Sequence, residues 1–128
     1  MNALDPLHDA RTLALVTFRR NGQEVATPVN FVIVERRLYV DTRAGSWKVK
    51  RLRNDPRVRM APCTMRGRVT GAWVEGTGRI LAETPLAPRI HVAMGAKYGW
   101  PYRLAAWWRN KRGRRAERIL LEITVRGG

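Results

Sequence analysis

The residues best suited to chemistry lie in one stretch, DTRAGSWKVKRLRNDP at 41–56. Within twelve positions it holds Thr42, Arg43, Ser46, Lys48, Lys50, Arg51 and Arg53. These cations and hydroxyls sit where a strand hands over to a short helix. A helix N-terminus offers free N–H groups and the positive end of its dipole, so it receives phosphate well. Ser46 would add a hydroxyl, Lys48 and Lys50 would add charge, and Thr42 closes the incoming strand. A solvated basic helix is the other reading of the same residues. There is no Walker pattern and no GxGxxG, so nothing here names a ligand.

The remaining reactive side chains are isolated. His8 and His91 are far apart and neither has a partner at metal-ligand spacing, so a satisfied or exposed histidine is the better reading of each. Cys63 has Arg59 and Arg66 nearby, which would favour a thiolate. A small side chain half-buried at a strand end is the better reading. Glu75 is a single carboxylate without the partner that acid–base chemistry uses. No triad or metal cluster emerges. If the chain is an enzyme, a cofactor carries its chemistry.

The elements that must position these residues are mostly strands. Residues 5–11 suit one helical turn, with Pro6 near its start. LALVTF at 13–18 reads as a strand, followed by Asn21-Gly22, a hairpin signal of the kind that takes a type I′ turn. VATPVNFVIV at 25–34 reads as one long strand, and Pro28 marks it as an edge or a bulge. LYVDT at 38–42 returns after a tight ERR turn. A short helix follows, with Ser46 as N-cap and Pro56 as its stop. RVRMAPC at 57–63 alternates Arg57 and Arg59 with Val58 and Met60. AWVEGTGRILAE at 72–83 is a strand whose Gly76 and Gly78 mark a bulge or close packing. Helices are predicted over 86–97 and from WPY to near Gly113, and a last strand over 117–125. Six strands, mostly antiparallel and joined by hairpins, with short peripheral helices, predict a mainly β (α+β) domain: a small closed or split barrel rather than a doubly wound sheet.

Length suits a single domain over residues 1–128. Cys63 is the only cysteine, so no disulfide forms within the chain, which fits a reducing compartment. Asp5 and Asp9 stand where a signal peptide needs basic residues, and the apolar run behind them is short and ends in Arg19 and Arg20. The sequence therefore predicts neither a signal peptide nor a membrane span, and a soluble cytoplasmic protein. The 25 Lys and Arg against 10 Asp and Glu leave a formal charge of +15. That excess speaks of partners: nucleic acid, an anionic membrane surface, or a small polyanion. Its densest cluster is Arg103, Arg109, Lys111, Arg112, Arg114, Arg115 and Arg118, with Leu104, Trp107 and Trp108 on an apolar side. Aromatics beside cations can stack on bases or rest at a lipid interface. They can equally pack on the barrel beside solvated arginines. No recognised nucleic-acid motif is present.

The order of elements resembles the pyridoxamine 5′-phosphate oxidase-like (PPOX class) split β-barrel proteins, with their FMN-binding-like fold. More narrowly it resembles the flavin/deazaflavin oxidoreductase branch that uses coenzyme F420. The features that carry the likeness are the NG hairpin, TPV, LYVDTRAGSWKVKRLRNDPRV, APC, GRVTG, EGTGRI and KYGWPYRL, together running from about Thr12 to Val125. The resemblance implies homodimers with each active site at the dimer interface. It implies a cofactor phosphate beside Thr42, Arg43, Ser46, Lys48 and Lys50. It implies that Pro28, Val29, Asn30, Ala61, Pro62 and Cys63 flank the ring. Many relatives carry tryptophan where this chain has Asn30, so ring packing or the substrate pocket differs there. Arg66 and Arg68 would meet the acidic oligoglutamate tail of F420.

The activity implied is reduction of a small unsaturated organic acceptor by hydride from the reduced deazaflavin. The alternatives are FMN, haem or a tetrapyrrole in the same fold, or a cofactor-binding protein without turnover. No specific nucleic acid is expected as a partner, and residues 103–118 offer a membrane-surface contact.

Overall fold

Strand β1 (Thr12–Phe18) is an apolar run and is buried almost throughout. Buried on both faces, it belongs in the middle of a sheet rather than at its rim. The computed structural model, which describes residues 4–111 and 118–126, places it so. β1 pairs with β2 (Glu24–Val29) on one side and β5 (Arg57–Cys63) on the other, both antiparallel. The sheet continues through β6 (Val74–Leu81), β7 (Arg118–Val125), β4 (Arg37–Arg43) and β3 (Val32–Val34), in the order β2-β1-β5-β6-β7-β4-β3. Every neighbouring pair is antiparallel.

Among the described residues seven strands are present where six are expected, because the long strand at 25–34 breaks at Asn30-Phe31 into β2 and β3. The break has a topological reason. β2 and β3 form the two opposite edges of the sheet. Side by side in a flat sheet they would stand about 29 Å apart, at about 4.8 Å per strand. The three steps from Val29 to Val32 reach at most about 11 Å. The sheet must therefore curl until its edges nearly meet, which makes a split barrel. Pro28, on edge strand β2, falls where a missing N–H costs nothing to an inner ladder.

Strand alternation divides the core in two. Leu38 and Val40 of β4, with Leu121 and Ile123 of β7, point into the barrel beside Leu13, Leu15 and Met60. Tyr39 and Leu120 point outward, where Ile90 and Met94 of α3 (Ala87–Tyr98) cover them. Asp41 and Arg118 share that outer phase. Helix α1 (Asp5–His8) adds Leu7 to the barrel core. Helix α2 (Trp47–Asn54) adds Val49 and Leu52. The Ser46 hydroxyl accepts from the Val49 N–H at 3.5 Å, as an N-cap does. Gly78 makes room for α2, since a Cβ there would stand 3.0 Å from Leu52. A Cβ on Gly76 would stand 2.7 Å from the Thr124 carbonyl oxygen, so both glycines serve close packing.

The two β-turns exchange roles relative to expectation. Only Gly22 of the Asn21-Gly22 pair has positive φ, +87°. The Gly22 N–H donates to the Arg19 carbonyl, and the Asn21 side-chain oxygen accepts from the Gln23 N–H. That is a turn with a left-handed glycine behind it, not a type I′ turn. Paired positive φ values occur instead at Glu35 (+52°) and Arg36 (+67°), between β3 and β4. The last helix, α4 (Trp100–Lys111), follows α3 through Gly99 at φ +75°. The expected end near Gly113, and the cations Arg112, Arg114 and Arg115, lie outside the described residues. Among those residues no helix is long and apolar enough to cross a membrane.

Candidate functional site

Breaking β2 from β3 at Asn30-Phe31 frees backbone groups that a ladder would have used, and α3 takes them up. The Tyr98 hydroxyl accepts from the Phe31 N–H at 2.9 Å and lies 2.8 Å from the Arg11 carbonyl oxygen, to which it donates. The Lys97 ammonium donates to the Phe31 carbonyl at 3.0 Å and sits 3.2 Å from the centre of the Phe31 ring. Burial, and then the charge of Arg11, bring Lys97 down to about 8. Burial pushes the Tyr98 phenol up.

Beside this corner opens a cleft of about 570 Å³. Pro28, Val29 and Asn30 form one wall, and Pro101, Tyr102 and Ala105 of α4 form the opposite one. Met94 and Tyr98 of α3 line it, with Met65 at the 64–71 loop; Arg11 adds one cation, and Asp41 and Arg118 add a further pair of charges. Those two groups meet: Arg118 Nε donates to Asp41 Oδ1 at 3.2 Å, and its Nη2 donates to the Asp41 carbonyl at 3.3 Å. The Asp41 side chain is 5% exposed, so this is a nearly desolvated ion pair. The Tyr102 hydroxyl donates to Asp41 Oδ2 at 3.4 Å and lies 3.1 Å from His91 Nδ1. His91 is thus an exposed, satisfied histidine.

The expected cofactor residues scatter over several places. Pro28, Val29 and Asn30 line the cleft. Lys48 is half-buried and is not among the described residues lining the cleft. Burial, then the charges of Arg51 and Arg118, hold its ammonium below the ordinary value. An anion among these three cations would relieve that repulsion. Lys50 does not join Lys48. Two helical positions part the side chains by about 200°, and Lys50 lies over the Trp47 ring at 4.3 Å, in a separate recess with Arg19, Arg20, Arg51 and Asn54. Thr42 is buried, on the opposite strand face from Asp41, and Arg43 is exposed beside its strand partner Arg118. Ser46 is engaged as the cap.

Ala61, Pro62 and Cys63 are one strand removed. Ala14 of β1 pairs with both Pro28 and Ala61, and Leu13 with both Val29 and Pro62. None of the three is among the described residues lining the cleft. The 64–71 loop reaches both prolines, since a Cβ on Gly67 would meet Pro28 at 3.7 Å and one on Gly71 would meet Pro62 at 3.0 Å. Arg66 and Arg68 are exposed on that loop, next to Met65. Cys63 is buried, and burial pushes its thiol up, which is the inert reading of that residue.

Asp41, Tyr98, Tyr102 and Lys97 carry no site role in the sequence reading, and Arg118 figures there only in the basic cluster over 103–118. Tyr98 and Tyr102 lie in KYGWPY, but their roles depend on contacts 61 to 87 positions away. Asp41 gave the one usable signal: a carboxylate in the phase of Tyr39 within an apolar strand.

A sequence profile of the pyridoxamine 5′-phosphate oxidase family matches residues 2–128. Among solved structures, a conserved hypothetical protein from Mycobacterium tuberculosis is 24% identical, with TM-score 0.71 over 95% of this chain and 77% of that one. An F420 reductase is 15% identical, with TM-score 0.66 over 95% and 91%. HutZ, the haem storage protein from Vibrio cholerae, is 14% identical, with TM-score 0.72 over 100% and 93%. At these identities the likeness is one of fold. Among curated proteins, none matches the chain.

Proposed function

The chain belongs to the pyridoxamine 5′-phosphate oxidase family, and from that premise we propose that it is an F420-dependent reductase. The observation that carries this reading is the joining of an apolar cleft to a cationic end. Pro28, Val29, Met94, Pro101 and Ala105 offer apolar walls, while Arg11 and Arg118 line the cleft and Lys48 lies within reach of the Arg118 charge. The cleft volume of about 570 Å³ falls in the range of about 300–1,000 Å³ that small-molecule sites occupy. A planar ring with a phosphate-bearing side chain fits this donor set. Lys48 and Arg118 would hold the phosphate, Pro28, Val29 and Asn30 would flank the ring, and Arg66 and Arg68 would meet an acidic tail.

A reduced deazaflavin held there would supply hydride chemistry toward an electron-poor C=C or C=N bond, the cofactor being oxidised and the balancing proton coming from solvent. The chain's part is positional. The apolar walls hold ring and acceptor close and exclude water. Tyr102, fixed by Asp41 and His91, holds a hydroxyl proton at the cleft wall. A second copy would complete the site, as the resemblance implies. Exposed Met65, Val69 and Trp73 on and beside the 64–71 loop are the apolar surface it would cover.

Fluorescence titration with F420, and with FMN at the same ionic strength, tests the reading. Saturable micromolar binding of F420, tighter than FMN and weakened at least about tenfold by Lys48→Ala, is expected. Preference for FMN would replace the deazaflavin with a flavin in the same cleft. Failure of both to bind would refute the assignment.

A further inference from the structure

Helix α4 has two unlike faces. Pro101, Tyr102 and Ala105 line the cleft. Trp100, Leu104, Trp107 and Trp108 stand on the other side, 73%, 46%, 52% and 47% exposed. At 100° per residue these four positions fall within an arc of about 100°, a continuous stripe along the helix. Trp107 and Trp108 each keep about half of their surface exposed, so neither is buried against the barrel. The rings of Trp107 and Trp108 meet edge to face, 5.5 Å apart at 76°.

The charge along the sequence of α3 and α4 has one sign. No carboxylate occurs between Glu83 and Glu117, so the whole α3–α4 hairpin is acid-free. Over the same span α4 itself carries Arg103, Arg109 and Lys111 in its sequence. A helix with Trp and Leu on an outer stripe, cations in its sequence and no acid is built to lie in the plane of a lipid interface. Indole combines an apolar body with an N–H that favours the headgroup level. An anionic leaflet attracts each nearby cation.

We propose that the outer face of α4 docks this protein on an anionic bilayer surface, with Trp100, Leu104, Trp107 and Trp108 seated among the headgroups. Two other occupants fit the stripe less well. A second copy packed symmetrically here would set one acid-free cationic hairpin against another. Single-stranded nucleic acid wants free ring faces for its bases, and an edge-to-face pair with Leu104 in the stripe offers no parallel slot. The proposal does not depend on which cofactor fills the cleft.

The test is cosedimentation of the full chain with vesicles of phosphatidylglycerol and phosphatidylcholine, against vesicles of phosphatidylcholine alone. Expected is partition onto the mixed vesicles with a blue shift of tryptophan emission, weakened by high salt. The double variant Trp107→Ser, Trp108→Ser should lose at least about tenfold in partition. Leu104→Glu, which keeps every tryptophan, should lose as much. Both variants should keep a cooperative melt, since each substituted residue is about half exposed. Absence of partition by the wild type, or equal partition onto neutral vesicles, overturns the proposal, as does full binding by both variants. A wild-type dimer that the double variant converts to monomer, without vesicle binding, would assign the stripe to a second copy. Oligonucleotide binding lost in the same variant, without vesicle binding, would assign it to nucleic acid.

Discussion

The hydroxyl of Tyr98 stands 2.9 Å from the N–H of Phe31, at the corner where the two edges of the curled sheet meet. One side chain of α3 thus replaces the ladder partner that Phe31 loses when its strand breaks. Tyr98→Phe leaves the Phe31 N–H and the Arg11 carbonyl without this partner. It should cost about 1–3 kcal/mol, the price of a desolvated polar group left unmatched. The check is the urea midpoint at unchanged slope. A variant as stable as the wild type would show that the corner holds without its clamp.

Lys97 sits in the same corner, and its burial has a pH signature. Its folded-state value is depressed to about 8, whereas in the unfolded chain it titrates near about 10.4. Between those values the unfolded chain binds the proton and the folded chain does not, so stability rises with pH across that window. Below about pH 8 the cost of the half-buried ammonium is fully present. Lys97→Met removes this titration. Melting curves from pH 7 to pH 10 should therefore show a wild-type rise that the variant lacks. Parallel curves for the two proteins would contradict it.

Arg36 holds φ +67° in the turn between β3 and β4, a left-handed conformation that an L side chain adopts at a cost. Its side chain is exposed. Arg36→Gly should stabilise the fold by about 0.5–1 kcal/mol, after the extra freedom glycine has in the unfolded chain is counted. Denaturant unfolding measures it directly, and a loss of stability would mean that the arginine makes contacts worth more than its strain.

Much of the fold is legible in the sequence because burial follows period. The alternation of Arg57 and Arg59 with Val58 and Met60 fixes β5 and its faces. Ser46 and Pro56 bracket α2. Pro28 marks an edge. The break at Asn30-Phe31 is not legible, since both fragments read as strand and only the curl of the whole sheet forces a corner. The tight ERR turn is read correctly, but its paired positive φ values at Glu35 and Arg36 are hidden because neither residue is a glycine or asparagine. Here strand pairing overrides local preference.

The site is legible in part. Pro28, Val29 and Asn30 line the cleft, whereas Lys48 does not line it and Lys50 is turned away by helix geometry that alternating lysines conceal. Asp41 and Arg118 pair across 77 positions, and no local pattern announces that. The tryptophans of α4 read equally as packed or exposed, because an apolar stripe looks the same on either side of a helix.

The central claim is that the cleft between the Asn30 corner and α4 holds the cofactor. Ala105 lines it and is exposed, so Ala105→Trp fills the cleft without touching the core. Calorimetric titration of F420 into wild type and Ala105→Trp tests the claim most directly. The account predicts micromolar binding to the wild type, at least about tenfold weaker binding to the variant, and the same melting temperature for both. Equal affinity for the two proteins would place the cofactor elsewhere and contradict the account.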